Sequence, residues 1–261
     1  MSRALAAALL FLALAGCVAA PQAGRYPSSQ PQTQFPAAAA TRAQNVAAYR
    51  AAAVRVEPVA AAMCRDAHPA RPPRHCAFDF RLIDDPRLGP NAFQTVGRDG
   101  APVVAMTVQL VAQTENVDEI AFVLGHEAAH HIADHIQKTQ SRAVAGALVL
   151  GAIADLGNAS DAMIRDMMDI GASLGGRAYS QSYELEADAL GAYVAARAGY
   201  DPQRGAQVFA RPLLAGGGGL LSSHPASGQR QAVVAATAAE IRRQQALGLV
   251  PHPANDPRLR R

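Results

Sequence analysis

The segment His126-Glu127-Ala128-Ala129-His130 combines two imidazoles and a carboxylate at a spacing that suits hydrolytic metal chemistry. On an α-helix, positions i and i+4 lie on one face, so both rings can converge on one zinc ion. Glu127 lies about 100° round the helix from His126, where it can reach a water on the ion and act as a general base. The pattern therefore predicts zinc-dependent hydrolysis with one Zn(II) per chain.

A catalytic zinc site usually takes three protein ligands, and the third is expected downstream. Glu184 and Asp188 are four positions apart and share a helix face. One carboxylate can bind the ion while the other hydrogen-bonds a ligand imidazole and fixes its tautomer. A second pair, His131 and His135, has the i,i+4 spacing but no acid directly after the first histidine. We expect these two histidines on the polar face of the helix or in supporting positions.

The zinc motif is predicted to lie within a helix over 117–137, because Asn116 and Glu119 form a capping-box pattern before residues of helical apolar spacing. Strand 102–108 precedes it and is expected to be a sheet edge that aligns an extended peptide substrate, the alternative being a fully paired core strand. The apolar run Ala143 to Ala154 is too short to cross a membrane and predicts a buried helix. The other predicted elements are a helix over 44–66, strands near 77–83 and 102–109, and helices near 141–156, 160–174, 178–198, 202–214 and 226–246, with a turn at Gly216 to Gly219.

Four motifs follow one another along the chain: Asn91-Ala92-Phe93, Asp118 to Gly125 before the zinc motif, Glu184 to Asp188, and Ser223-His224-Pro225 with Arg230. In this order they resemble the motifs of the HtpX-like and CAAX-prenyl-protease-like gluzincins of peptidase family M48. The resemblance implies a zincin-like α+β fold that is mostly helical, with a small sheet beside the zinc-motif helix. The resemblance extends over most of the chain. Within the family, the chain resembles the periplasmic lipoprotein branch.

The resemblance also implies roles for individual residues. It makes Glu127 the catalytic acid and base, and it places His224 and Arg230 as the pair that lines the cleft. In periplasmic relatives the histidine of the His-Pro motif can approach the metal, so His224 is either a latch on the resting enzyme or a hydrogen-bond donor in the transition state. The residues implied to hold zinc are His126, His130 and Glu184, with Asp188 supporting them.

The N-terminus predicts export and lipid anchoring. Arg3 and the apolar stretch Ala4 to Leu14 form a lipoprotein signal peptide over residues 1–16. Cys17 ends a lipobox and is expected to carry lipid, followed by a disordered tether to residue 43 that is rich in Pro, Gln, Ser and Ala. Val18 after the anchor resembles the outer-membrane sorting pattern. A zinc metallopeptidase domain over 44–246 and a C-terminal tail over 247–261 are expected to follow, with a disulfide between Cys64 and Cys76 in the oxidising compartment.

The leading hypothesis is a lipid-anchored zinc endopeptidase at the periplasmic face of the outer membrane of a Gram-negative-type bacterium. Its substrates are expected to be misfolded or misassembled envelope proteins, and outer-membrane assembly machinery is a candidate partner. Two other classes stay open: a chaperone-like or assembly-assisting lipoprotein with a latched, largely inactive protease site, and a structural lipoprotein with an incidental zinc site. The net charge is +3 and the 24 basic residues form no dominant cluster, so no nucleic-acid surface is expected.

Overall fold

Helices make up most of the chain, and three strands form a single sheet among the residues described. The computed structural model describes residues 42–177, 180–211, 220, 224 and 228–259. The helices are α1 Arg42–Ala67, α2 Val108–Val111, α3 Val117–Ile132, α4 His135–Leu156, α5 Asp161–Arg177, α6 Ser180–Arg197, α7 Pro202–Gly205 and α8 Gly228–Ala246; the strands are β1 Asp79–Ile83, β2 Ala92–Val96 and β3 Pro102–Thr107. Short 3-10 helices lie at Pro73–Cys76, Pro86–Leu88, Ala206–Ala210 and Pro253–Asn255. The predicted mostly helical α+β fold is confirmed.

Helix α3 is the central element, and nearly all of its residues are buried. Its capping signal forms as the sequence predicts, because the Asn116 side chain accepts a hydrogen bond from the Glu119 amide at 3.1 Å. The predicted extent to residue 137 is wrong. Asp134 adopts a left-handed backbone conformation with φ 55°, which ends α3 at Ile132 and starts α4 in a new direction.

The sheet has the order β1-β3-β2, with β1 parallel and β2 antiparallel to β3. The expectation that residues 102–108 form a sheet edge is therefore wrong, since β3 pairs on both sides and is buried along its whole length. Its run of apolar residues with Thr107 at the end is typical of a strand covered on both faces. Strand β2, which the sequence did not predict, is one of the two edges.

Glycines bring α3 and α6 into backbone contact. A Cβ atom built on Gly191 of α6 would lie 2.9 Å from both the Cα and the N atom of His126 on α3. One built on Gly125 would lie 3.0 Å from the Gly191 carbonyl oxygen. Real Cβ atoms essentially never approach other atoms within 3.0 Å, and a contact of 3.0 Å is unusually tight. The distance between the two helices therefore depends on Gly191 above all, and on Gly125 as well, lacking a side chain.

The α4 and α5 helices pack mainly on each other. Residues Ala143 to Ala154 are helical as predicted, but the expectation that this helix is buried is wrong. Leu148 is 61% exposed and Leu156 is 83% exposed. Val144, Val149 and Ile153 of the same run are exposed as well. Among the residues described, no helix combines the length and apolar character needed to span a bilayer.

Segments near both ends of the domain are bonded to the rest of it. A disulfide joins Cys64 in α1 to Cys76, with Cα atoms 5.6 Å apart. At the other end, residues expected to be a tail pack on the domain, because Asp256 is fully buried and accepts a hydrogen bond from the Tyr193 hydroxyl of α6 at 3.1 Å. Gln244 of α8 donates to the same hydroxyl at 3.2 Å. The predicted signal peptide, Cys17, most of the tether and the Gly216 to Gly219 turn lie outside the described residues.

Candidate metal centre

His126, His130 and Glu184 converge at the crossing of α3 and α6. The Nε2 atoms of the two histidines are 3.1 Å apart. His126 Nε2 lies 3.3 Å from one Glu184 carboxylate oxygen, and His130 Nε2 lies 3.4 Å from the other. Helical spacing puts both imidazoles on the buried face of α3, and the close crossing at Gly191 brings Glu184 beside them.

These separations are the ones that zinc requires. Ligand atoms at about 2.0–2.1 Å from a tetrahedral ion lie about 3.3–3.4 Å from one another. The observed separations of 3.1–3.4 Å match this value before any adjustment. The donor set of two imidazole nitrogens and a carboxylate is also one that zinc prefers, so the residues fit this metal.

Asp188 contacts a candidate ligand, and Arg230 in turn holds Asp188. Asp188 Oδ1 is 3.0 Å from His126 Nδ1, which leaves the Nε2 lone pair of that ring for a metal. Arg230 donates to both Asp188 oxygens, at 2.7 and 2.6 Å, and to the His224 carbonyl oxygen at 3.0 Å. The guanidinium is buried and lies 3.8 Å from the centre of the Phe209 ring. Arg230 therefore positions Asp188 and His224, and its place in the lining of the cleft stays a prediction.

His224 contributes a fourth donor atom. Its Nδ1 lies 2.9 Å from Glu184 Oε2 and 3.2 Å from His126 Nε2. Its Nε2 lies 3.3 Å from Glu127 Oε1, within ion-pair distance but without hydrogen-bond geometry. The ring therefore stands between the metal ligands and the candidate base, at the place where a fourth zinc ligand is expected.

Burial and hydrogen bonding set the protonation of the centre without metal. Burial alone would lower the pKa of His126, but its bonds to Asp188 and Glu184 outweigh burial and raise the pKa to about 9. At His130 burial dominates and lowers the pKa to about 4. Burial would raise the pKa of Glu184, yet the surrounding imidazoles hold it well below the usual range. At neutral pH the carboxylate is charged and His130 is neutral, which are the forms that bind metal.

His131 and His135 lie in different environments and contact different residues. His131 Nε2 donates to the His75 carbonyl oxygen at 2.7 Å, away from the centre. His135 instead lies against His130. The sequence also missed Gly191 and Phe209, whose ring centre is 5.2 Å from that of His126. Neither carries a local signal, because their roles depend on which helices meet.

A second group of possible ligands lies near the disulfide and is a poorer match. His68 Nε2 is 4.0 Å from Asp134 Oδ2, wider than a tetrahedral zinc site allows. That nitrogen is also 2.8 Å from the Ile132 carbonyl oxygen, and Arg71 holds Asp134 at 2.9 Å. The group of His68 and Asp134 therefore fits a metal less well than the first centre does.

A helix bearing two histidines and a glutamate, with a third ligand from a neighbouring helix, defines a metallopeptidase-type centre. The model of peptidase family M48 matches residues 50–238, which include every residue of this centre, and the chain belongs to that family.

Two curated relatives are described as mitochondrial metalloendopeptidase OMA1. The one from Saccharomyces cerevisiae is 30% identical over 162 residues, covering 59% of this chain and 45% of that protein. The one from Arabidopsis thaliana is 29% identical over 125 residues, covering 45% of this chain and 24% of that protein. The chain thus spans less than half the length of these relatives.

Proposed function

We propose that the protein is a zinc-dependent endopeptidase in which His126, His130 and Glu184 hold one Zn(II) and Glu127 is the general base. The observation that carries this proposal is the 3.1–3.4 Å spacing of the three donor groups next to Glu127 on the same helix. Membership of peptidase family M48 and the printed description of the relatives as metalloendopeptidases support the reaction type.

The side chains around the centre have separate roles in the proposed hydrolysis. A zinc ion held there supplies a Lewis acid that activates water near neutral pH and polarises the peptide carbonyl. Glu127 is 1% exposed, so its carboxylate is shielded from bulk solvent. It takes the proton from the attacking water and passes it to the leaving amine. Asp188, held by two hydrogen bonds from Arg230, keeps His126 in the ligand tautomer.

In this arrangement His224 acts as a latch. Its Nδ1 fills the fourth donor position and its Nε2 faces Glu127, so the ring excludes water from the place where hydrolysis starts. Substrate hydrolysis then requires His224 to leave that position. Arg230 holds the His224 carbonyl oxygen, so the latch is tied to the same side chain that supports Asp188.

An extended substrate would pair with the edge strand β2. Strand β3 is paired on both sides, which excludes it as a template. Strand β2 packs beside α3, and a peptide added to its free edge would run past the zinc motif.

The proposal also covers where the protein is located and which substrates it cleaves. The predicted signal peptide and the lipobox pattern at Cys17 support a lipid anchor at the periplasmic face of the outer membrane, where misfolded or misassembled envelope proteins would be the substrates. Replacing Cys17 with Ser should abolish incorporation of radiolabelled palmitate and release the protein from the membrane fraction. Unchanged labelling would contradict the anchor.

The reaction is tested by Glu127→Gln, with the exposed Glu57→Gln as a matched control. The Glu127 variant should retain one zinc per chain and lose hydrolysis of casein, because the amide cannot accept the proton. The control should keep both. Casein turnover by the Glu127 variant at the wild-type rate would refute the assigned base.

The position of His224 also favours a second candidate function, an assembly-assisting lipoprotein whose protease site stays latched. Complementation of a deletion strain distinguishes the two. A Glu127→Gln chain that fully complements the deletion would favour the assembly role, whereas loss of complementation would favour proteolysis. A wild-type chain without zinc would favour the purely structural lipoprotein.

A further inference from the structure

His135, the first residue of α4, lies behind the metal ligand His130. Its ring is buried, and its Nδ1 is 2.9 Å from His130 Nδ1. Its Nε2 is 3.3 Å from Glu186 Oε2, and the ring stacks on Tyr183 with centres 4.5 Å apart and planes 18° apart. On a continuous helix, five positions would turn His135 about 140° away from His130. The left-handed backbone of Asp134 brings it back.

The proton positions along this chain of contacts follow from one another. His130 directs Nε2 towards the other ligands, so a metal there requires its proton on Nδ1. The facing Nδ1 of His135 must then accept that proton's hydrogen bond. A neutral His135 carries its own proton on Nε2, which donates to Glu186. Only one tautomer of each ring satisfies all the contacts.

We propose that His135 and Glu186 are positioning residues that fix the metal-binding tautomer and orientation of His130. This inference rests on the proposed zinc function and extends it. The two ligand imidazoles then receive different support: a carboxylate paired with Arg230 stands behind His126, and the imidazole of His135 stands behind His130. Such outer contacts orient ligands and are worth about 10–100-fold in metal affinity.

Two substitutions separate this role from simple packing. His135→Phe keeps a ring for Tyr183 but removes the acceptor, whereas His135→Asn loses the ring but places an amide oxygen near the former Nδ1. Competition with a chelator should show that the Phe variant binds zinc about 10–100-fold more weakly and that the Asn variant stays close to wild type. The control His131→Gln, which alters a buried histidine away from the centre, should bind zinc normally.

Tautomer populations give a second readout on the full chain. In ¹⁵N spectra of the zinc-free protein, His130 should carry its proton on Nδ1 in the wild type and in the Asn variant, whereas the Phe variant should populate both tautomers. The partly exposed Glu186 offers a change that spares the core: Glu186→Leu should weaken zinc binding, and Glu186→Gln, whose amide oxygen still accepts, should not.

Tight zinc binding by His135→Phe, or loss of zinc binding by His135→Asn, would overturn the proposed positioning role. His135 would then serve only to pack against its neighbours. Failure of the zinc function itself looks different. In that case the wild-type chain would bind no zinc, whatever residue stands at position 135.

Discussion

Replacing Gly191 with Ala tests whether the helix crossing sets the geometry of the metal centre. The new Cβ would lie 2.9 Å from two backbone atoms of His126 and 3.2 Å from the carbonyl carbon of Gly125. Backbone atoms cannot rotate aside, so α6 must move away from α3. Because α6 carries Glu184, that movement separates the carboxylate from both imidazoles.

The size of the effect follows from these distances. Ordinary carbon contacts begin near 3.4 Å, so the clash at 2.9 Å requires a shift of about 0.5 Å. Zinc sites tolerate ligand distances within about 0.2 Å, so the shift exceeds the tolerance. Overpacking of this kind costs about 1–3 kcal/mol, of which alanine's better helix propensity returns up to about 1 kcal/mol. The net loss then lies between about 0 and 3 kcal/mol, and we expect the middle of this range, about 1–2 kcal/mol. We also expect a tenfold or larger loss of zinc affinity, by comparison with outer-contact changes worth about 10–100-fold.

Thermal unfolding and chelator competition measure the two effects. A loss of about 1–2 kcal/mol should lower Tm by roughly 2–8 °C in a domain of this size. Gly228→Ala is the matched control, because a Cβ there meets nothing within 4 Å. If Gly191→Ala unfolds at the control's temperature and binds zinc as tightly, backbone contact between α3 and α6 does not set the centre.

Three further outcomes are expected. His224→Ala should keep its zinc and hydrolyse casein faster than wild type, whereas slower hydrolysis would assign His224 to the transition state. Replacing both Cys64 and Cys76 with Ala opens a loop whose ends are 12 residues apart, which should cost about 3 kcal/mol and lower Tm while zinc content stays the same; an unchanged Tm would show that the bridge adds no stability. Because carboxylate bonds outweigh burial and raise the pKa of His126 to about 9, zinc must displace a proton below that pH. Zinc affinity should therefore rise about tenfold per pH unit from pH 7 to 9 and then level off, and a flat profile in chelator titrations would contradict this protonation state.

The parts of the centre that sequence could predict are those fixed by local helix geometry. Positions i and i+4 put His126 beside His130, and the same rule pairs Glu184 with Asp188. The Asn116 cap also follows from residues three apart. Each of these statements needs no knowledge of which elements meet.

Features that depend on contacts between distant segments were missed or misplaced. The pairing of β3 on both sides depends on β1 and β2, and an apolar run alone does not reveal it. The end of α3 depends on a left-handed Asp134, a conformation that asparagine and glycine adopt more readily. The sequence predicts that the apolar residues around Leu148 are buried, but they are exposed. Apolar periodicity does not show whether another helix or strand packs over them.

The buried Asp256 has a consequence for the order of events during synthesis. Its hydrogen bond to Tyr193 closes the far end of the helix that carries Glu184, and Gln244 attaches the helix that carries Arg230 to the same hydroxyl. Ribosomes deliver the zinc motif more than a hundred residues before this segment, so nascent chains expose the two histidines while their partners are still unanchored. The contacts that join α6 and α8 at this hydroxyl can therefore form only after residue 256 has been synthesised, long after both histidines.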